Sequence, residues 1–119
     1  MQRSFRLTRS EDFKRVRRDG KSYAHPLVVL IVLNSENNDQ PRVRAGIAAG
    51  KSVGTAVIRN RTKRLLREAM RTLLPNIASS SDLILVARPA LASATLADVQ
   101  RALENLLQRA KILTPKHES

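Results

Sequence analysis

The residues of this sequence best suited to chemistry are cations, and they are concentrated in one segment, TAVIRNRTKRLLREAMRTLL, at positions 55–74. Arg59, Lys63 and Arg67 follow one another at i,i+4 spacing, so on a helix they share one side, where their like charges repel one another. Such a row suits phosphate oxygens, because each guanidinium presents planar, paired donors. The pattern predicts a surface for an acidic polymer, with the candidate contact residues Arg59, Asn60, Lys63, Arg64, Arg67 and Arg71.

The opposite side of the same segment is apolar. At about 100° of rotation per residue, one sector contains Ile58, Thr62, Leu65, Leu66, Ala69 and Leu73. This arrangement is typical of a helix that packs one face on a core. A basic face that is merely solvated is the alternative interpretation, since charge on a surface helix is ordinary.

Composition narrows the classes of partner. The 119 residues suffice for one domain, 1–119, and carry a formal net charge of +12, which favours nucleic acid or an anionic membrane. The membrane is the weaker alternative, because no run approaches about 18 apolar residues and the basic helix lacks an aromatic anchor. Cysteine is absent, which excludes disulfides and thiolate metal sites. The N-terminal sequence MQRSFRLTRS lacks the apolar stretch of a secretion signal, so we expect a cytoplasmic protein.

Two further helices are predicted around the basic one. Residues 1–9 form a basic arm, which is interpreted either as a solvated tail or as a segment that contacts the nucleic acid. The helix that follows is expected to be capped by Thr8 or Ser10 and to stop at Gly20. A last helix begins after Thr95, with Asp98 completing a capping box, and residues 114–119 form a frayed tail. The apolar stripe of that last helix is predicted to comprise Leu96, Val99, Leu103, Leu106, Leu107 and Ala110.

Strands are predicted on either side of the basic helix. The apolar run LVVLIVL, residues 27–33, indicates a buried strand, and the polar stretch 34–41 indicates a hairpin to a second strand at 42–49. Alternation divides that second strand into two faces, Val43, Ala45 and Ile47 against Arg42, Arg44 and Gly46. A third strand at 82–87 follows the basic helix, so strand, helix and strand predict a parallel βαβ unit.

Nothing in the sequence indicates a catalytic site made of protein side chains. His25 and His117 have no carboxylate or serine partner at a suggestive spacing, and the acidic residues form no metal-ligand cluster. A phosphate-binding loop is excluded, because Gly50-Lys51-Ser52 lacks the glycine that the motif requires at position 45. A protein nuclease needs paired acids or a histidine, so the chain is better suited to binding a catalyst than to being one.

Two motifs resemble the bacterial ribonuclease P protein family. The run from Arg59 to Glu68 reads RNRxKRxxRE, and Phe13, Val16 and Gly20 reproduce the spacing FxxVxxxG. The resemblance extends over about residues 5–113. With the predicted elements, it implies an α/β protein of the α+β two-layer sandwich kind, similar to domain 2 of ribosomal protein S5. We expect a mixed sheet of about four strands with three helices, in the order αβββαβα.

The resemblance also implies a function and places further residues in it. Family members bind the catalytic RNA of ribonuclease P and the 5′ leader of precursor tRNA, and the RNA hydrolyses the phosphodiester with Mg²⁺, which the RNA mainly holds. The signature adds Arg61 to the RNA-binding residues, and position in the family adds Lys51. The leader cleft is expected at Phe13, Lys14, Arg17 and Ile31. Arg17 and Ile31 stand where relatives often have aromatics, so charge contacts partly replace base stacking here. Precursor tRNA and the catalytic RNA are thus the expected partners, with no membrane and no small-molecule substrate.

Three alternatives remain. Charge alone fits a general or ribosomal-type RNA-binding protein equally well, although the two motifs together argue against it. An architectural DNA-binding protein requires a groove-reading helix or wedge residues, and neither is evident. A self-sufficient nuclease predicts RNA cleavage by the protein alone, and the lack of paired acids and histidines disfavours it.

Overall fold

The computed structural model describes residues 6–7, 9–34, 43–77 and 80–112, which form one mixed sheet and three helices. The elements follow the predicted order αβββαβα, and the predicted fold class is confirmed. Three short 3-10 helices lie in the connections, at Lys51–Val53, Leu74–Asn76 and Pro89–Ser93. The main elements are α1 (Ser10–Asp19), β1 (Lys21–Ala24), β2 (Val28–Asn34), β3 (Val43–Ala48), α2 (Ala56–Leu73), β4 (Ser81–Ala87) and α3 (Leu96–Arg109).

The strands lie in the order β1-β2-β4-β3. β2 is antiparallel to both β1 and β4, whereas β3 and β4 are parallel, as the predicted βαβ unit requires. The predicted hairpin between the strands at 27–33 and 42–49 is wrong, because β4 lies between β2 and β3. Most of the predicted loop, residues 35–41, and Arg42 of the predicted second strand are outside the described residues. An all-apolar strand suits the interior of a sheet that is covered on both faces, and β2 and β4 hold the two central positions.

The larger hydrophobic core lies between one face of the sheet and the pair α2 and α3. Alternate residues of the central strands, including Leu30 and Leu85, meet Leu66, Met70 and Leu103 there, and all five side chains are fully buried. A smaller cluster lies on the opposite face, under α1, and is made by Leu7, Val16, Ile31 and Ile84. The sheet thus has two helices on one face and α1 on the other.

The helix ends agree with the sequence in part. Thr95 and Asp98 form the predicted capping box of α3. The predicted cap of α1 is wrong: Arg9 holds that position without a side-chain hydrogen bond, Ser10 is already helical, and Thr8 is outside the described residues. α1 does end at Gly20, where a side chain would stand only 2.9 Å from the carbonyl oxygen of Val32.

The predicted stripe of α3 is largely buried. Val99, Leu103, Leu106 and Leu107 are core residues, whereas Leu96 is 36% exposed in the first turn.

No helix in the described parts of the chain combines the length and hydropathy of a membrane span.

Candidate nucleic-acid interface

The basic helix α2 is anchored by a tight turn. Gly54 has φ +148°, a conformation that L side chains rarely adopt, and it redirects the chain from the 3-10 turn at Lys51–Val53 into the helix. Thr55 then caps α2, because its side-chain oxygen accepts a hydrogen bond from the backbone N–H of Ile58 at 3.4 Å. Lys51 is exposed in this turn, just before the N-terminus of α2.

The apolar face of α2 lies where the sequence predicts it. Thr62, Leu66, Ala69 and Leu73 are buried, whereas Ile58 and Leu65 are half-buried against the same core. Thr62 keeps its hydroxyl satisfied by donating to the carbonyl oxygen of Ile58 at 2.8 Å. The sequence analysis missed Met70, which is fully buried beside Ala69.

The opposite face of α2 presents cations to solvent. Asn60, Arg61 and Arg64 are exposed, while Arg59, Lys63 and Arg67 are half-buried, so their stems lie along the protein. Five of these cations form no ion pair with any carboxylate of the described residues, namely Arg59, Arg61, Lys63, Arg64 and Arg67. Carboxylates in the described part of the chain therefore leave the charges that this face would use toward phosphates without an ion pair.

Arg71 differs from the other candidate residues of α2. Its guanidinium donates to both carboxylate oxygens of Glu68, at 2.7 and 3.3 Å. This pair holds the pKa of Glu68 below its ordinary value, through the hydrogen bonds and then the charge of Arg71. Arg71 is thus the one predicted cation of α2 that forms an ion pair with an acid of the same helix.

A small concavity of about 70 Å³ lies at the side of α2, between α1 and the sheet. Phe13 of α1 packs its ring against the backbone of Gly46, and Leu7 donates its N–H to the carbonyl oxygen of Ala45 at 2.9 Å. Arg67 reaches this cleft from α2. The cleft is lined by Arg6, Leu7, Phe13, Ala45, Gly46, Ile47 and Arg67.

Two residues of the basic arm, Arg6 and Leu7, help to line this cleft. Leu7 is 3% exposed in the cluster under α1, and Arg6 forms a parallel bridge with Ala45 at the outer edge of β3. The arginine side chain of that bridge is exposed beside the cleft. Sequence reasoning left this segment open, because a two-residue pairing has no periodicity of its own.

The other predicted cleft residues take different positions. Lys14 and Arg17 are exposed on α1, near Phe13 in sequence but not among the side chains that line the concavity. Ile31 is 7% exposed and packs beneath α1 with Val16. The structure therefore brings Phe13 and Arg67 together, and it leaves Ile31 underneath the helix.

Four charged side chains join α1 to the sheet next to the cleft. Asp82 of β4 is 4% exposed and accepts hydrogen bonds from Arg44 of β3, at 2.9 and 3.0 Å, and from Arg15 of α1, at 2.6 Å. Asp12 of α1 is 3.3 Å from Arg15 and 3.6 Å from Arg44. We call these four residues the α1 clamp. Sequence reasoning missed it, although the alternation of β3 already placed Arg44 on the same face as Gly46.

The hydrogen bonds to Asp82 fix the charge states of Arg15, Arg44 and Asp82. Burial by itself would raise the pKa of Asp82, but the hydrogen bonds from Arg44 and Arg15 outweigh it and hold that pKa below its ordinary value. The same bonds to Asp82 raise the pKa values of Arg15 and Arg44. All three side chains are therefore charged at neutral pH.

A second concavity, of about 560 Å³, lies at the first turns of α3 and includes His25, Asp98, Arg101 and Asn105. His25 accepts a hydrogen bond at Nδ1 from the backbone N–H of Leu27 at 3.1 Å, so it shapes the turn between β1 and β2. Arg101 donates to Asp98 at 2.7 Å, an acid that also belongs to the capping box of α3. The polar groups of this concavity are thus partly engaged in local structure.

A family model described as Ribonuclease P matches residues 1–111. The chain belongs to the ribonuclease P protein family. The ribonuclease P protein component of Herpetosiphon aurantiacus is 45% identical over 112 residues, which are 94% of this chain and 89% of that protein. For Brevibacillus brevis the identity is 39% over 113 residues, which are 95% of this chain and 88% of the relative. The family predicted from the two motifs is confirmed.

Solved structures of ribonuclease P proteins share this fold. The protein of Staphylococcus aureus superposes with a TM-score of 0.81 and 31% identity, over 94% of this chain and 100% of the other. The protein of Thermotoga maritima gives a TM-score of 0.76 and 28% identity, over 87% and 96% of the two chains. As a member of this family, the chain belongs to an endoribonuclease complex that contains RNA.

Proposed function

We propose that the protein binds the catalytic RNA of ribonuclease P through the basic face of α2 and binds the 5′ leader of precursor tRNA at the cleft between α1 and the sheet. The RNA subunit then removes the leader to give the mature 5′ end of the tRNA. The proposal places the protein in the bacterial cytoplasm, where it acts in tRNA maturation.

One observation supports this assignment above the others: Arg67 belongs to both surfaces. Among the described residues, it is one of the cations of α2 that form no ion pair, and it also lines the cleft together with Phe13. An RNA held on α2 and a single strand lying over the cleft would therefore meet at this residue. A continuous path of this kind suits a protein that holds a catalyst and its substrate side by side.

The side chains of the two surfaces suit different parts of RNA. The cations of α2 neutralise phosphates and release counterions, which supplies affinity and a strong dependence on salt. The cleft is narrow, and among the described residues that line it, the aromatic ring of Phe13 can stack on a base with about 1 to 3 kcal/mol. Lys14 and Arg17, exposed on the same helix, then contact the leader backbone at the rim. With Ile31 buried, leader binding depends more on charge than on stacking.

Two acids near the cleft, Asp12 and Asp82, are poorly placed to hold the Mg²⁺ on which the proposed reaction depends. Asp12 and Asp82 are both engaged by arginines, and the described residues contain no group of three metal-ligating side chains. We assign the Mg²⁺ mainly to phosphates of the RNA subunit, where it supports phosphodiester hydrolysis. The protein contributes binding and orientation.

The experiment that tests the proposal is cleavage of a precursor tRNA at low Mg²⁺ by a bacterial ribonuclease P RNA, with the protein, without it, and with the protein alone. We expect correct 5′ cleavage only when RNA and protein are both present. No effect with any ribonuclease P RNA would instead support a general or ribosomal-type RNA-binding protein. Cleavage by the protein alone would show that its own side chains are catalytic.

A further inference from the structure

We propose that Arg15 and Asp82 are positioning residues, which hold α1 in register with the sheet so that Phe13 and Gly46 form the cleft. The inference deepens the proposed function and rests on its leader-binding part. Neither side chain lines the cleft, so both act through the placement of α1.

The α1 clamp brackets the cleft on both sides. On α1, Asp12 precedes Phe13 directly and Arg15 follows it by two residues. On the sheet, Arg44 and Gly46 are alternate residues of β3, so they face the same side. Asp82 is the register partner of Arg44 on β4 and bonds to it through both carboxylate oxygens. Contacts from Arg15 to Asp82 and from Arg44 to Asp12 therefore fix the position of Phe13 along β3.

Apolar packing alone is a weak constraint on α1. The helix has ten residues and buries one of them, Val16, while Phe13 is only half-buried. Its N-cap lacks a side-chain hydrogen bond, and a helix this short is marginal without tertiary contacts. Apolar contacts also tolerate sliding, whereas hydrogen bonds between charged groups select one geometry. The α1 clamp thus supplies the directional part of the contact.

The two arginines of the α1 clamp are paired with an acid of the protein itself and are not free to bind RNA. Arg15 and Arg44 both donate to Asp82, and Asp82 is almost fully buried. A guanidinium that left this carboxylate for a phosphate would leave a buried charge with only one of its two arginine partners, which is costly. Arg17, by contrast, is exposed on the outer side of α1, where it can meet RNA directly, and Arg18 is paired with its exposed neighbour Asp19.

The test compares Arg15→Gln with Arg18→Gln in the reconstituted holoenzyme. Both changes remove one positive charge from α1, but Arg18 is 73% exposed and, among the described residues, pairs only with its neighbour Asp19. We measure the Kd for precursor tRNA with a leader, the Kd for the same tRNA without one, and the Kd of the protein for the catalytic RNA. Arg15→Gln should weaken binding of the leader-bearing tRNA about five-fold more than Arg18→Gln, which corresponds to losing the weaker end of a base-stacking contact. The other two Kd values should match those of the control.

Two further variants separate positioning from general stability. Arg15→Lys keeps the charge and one donor toward Asp82, so it should recover part of the leader-dependent affinity. Asp82→Asn should lower that affinity as well, and adding Arg15→Gln to it should cause little further loss, because both changes break the same link. Hydrogen exchange in α1 should be faster in each variant that has lost this affinity.

The inference is overturned if Arg15→Gln and Arg18→Gln have equal effects on the leader-bearing tRNA, since charge alone then explains both. It is also overturned if Arg15→Gln weakens binding of the leaderless tRNA equally. Failure of the proposed function would look different: the holoenzyme with unmodified protein would bind tRNA equally well with and without a leader.

Discussion

The ring of Phe13 lies against the backbone of Gly46 so closely that a Cβ on that glycine would stand 3.0 Å from the Cε1 and Cε2 atoms of the ring. Only glycine at position 46 therefore leaves enough room for the ring of Phe13 to contact the sheet. This pair forms the floor and one wall of the cleft, and it links a residue of the first helix to an edge strand.

Gly46→Ala is expected to displace Phe13. The added methyl group should lower the free energy of unfolding by about 1 kcal/mol, the lower end of the usual cost of overpacking, because the ring is half-exposed and can move. The affinity for the leader of precursor tRNA should fall as well, and this should be the larger of the two effects, because the ring of Phe13 on which a base would stack has moved. Gly50→Ala is the control, because a Cβ at Gly50 meets nothing within 4 Å. Equal behaviour of the two variants in urea unfolding and tRNA binding would contradict the role given to Gly46.

Arg64→Ala should weaken binding of the catalytic RNA and reduce its dependence on salt. Arg64 is exposed and has no ion pair among the described residues, so the slope of log K against log salt should become shallower by about 0.7 to 0.9 per lost phosphate contact. Arg101→Ala is the matched control, since Arg101 is exposed on α3 and paired with Asp98. A salt titration that gives both variants the original slope would favour a merely solvated basic face.

Val57→Ala should separate apolar contact from charge on the same face. Val57 is 76% exposed at the start of α2, and Arg61 follows it by one helical turn. If bound RNA covers its methyl groups, their removal should weaken binding about five-fold, within the usual value of two buried carbons, and leave the salt slope unchanged. The free energy of unfolding should not fall, because alanine is the better helix former. Unchanged RNA affinity would show that this turn stays in solvent.

Asp82 should make the stability of the protein depend on acid. Its pKa is held below the ordinary 3.8, so stability is fully present above that pH and is lost as the pH falls through the lower folded-state value. Asp82→Asn should remove about 3 kcal/mol at neutral pH, because two arginines then face an uncharged partner. Below pH 3.8 the free energy of unfolding of this variant should decline less steeply than that of the unmodified protein. If chemical denaturation gave the unmodified protein and Asp82→Asn the same dependence of stability on pH, Asp82 would not be the source of the acid dependence.

Leu66→Ala should be more destabilising than Leu65→Ala. Leu66 is fully buried between α2 and the sheet, whereas Leu65 is half-buried at the margin of the same core. Truncation of the buried leucine should lower the free energy of unfolding by about 2 to 5 kcal/mol, and that of Leu65 by less, because its site is open to water. The reverse order in thermal or urea unfolding would mean that the two faces of α2 are rotated from those described.

The faces of single helices and strands could be predicted from the sequence, because each follows from the repeat of its own element. The 3.6-residue repeat of α2 separates Leu66 from Arg64, and the two-residue repeat of β3 separates Ala45 from Arg44. Both divisions hold in the structure. The fold class was also predictable, because the family motifs and the βαβ pattern agree with it.

The parts that depend on distant pairing were not predictable from periodicity. Arg15 and Asp82 are 67 positions apart, and no spacing rule connects them. The polar loop after β2 is a local signal for a hairpin, but the long-range pairing of β4 with both β2 and β3 overrides it. Leu96 fits the helical period of α3, yet it stands in the first turn, beyond the edge of the core.

The position of β4 has a consequence for synthesis of the chain. β2 and β3 are made early but touch each other only through β4, which ends at Ala87. α1 and α2 therefore leave the ribosome before the sheet on which they pack can close, and most of the cations of the proposed RNA-binding surface are among them. Assembly from such non-local pairs is slow compared with local helix formation. We infer that a nascent chain presents this charge to surrounding RNA before it has a cleft with which to discriminate.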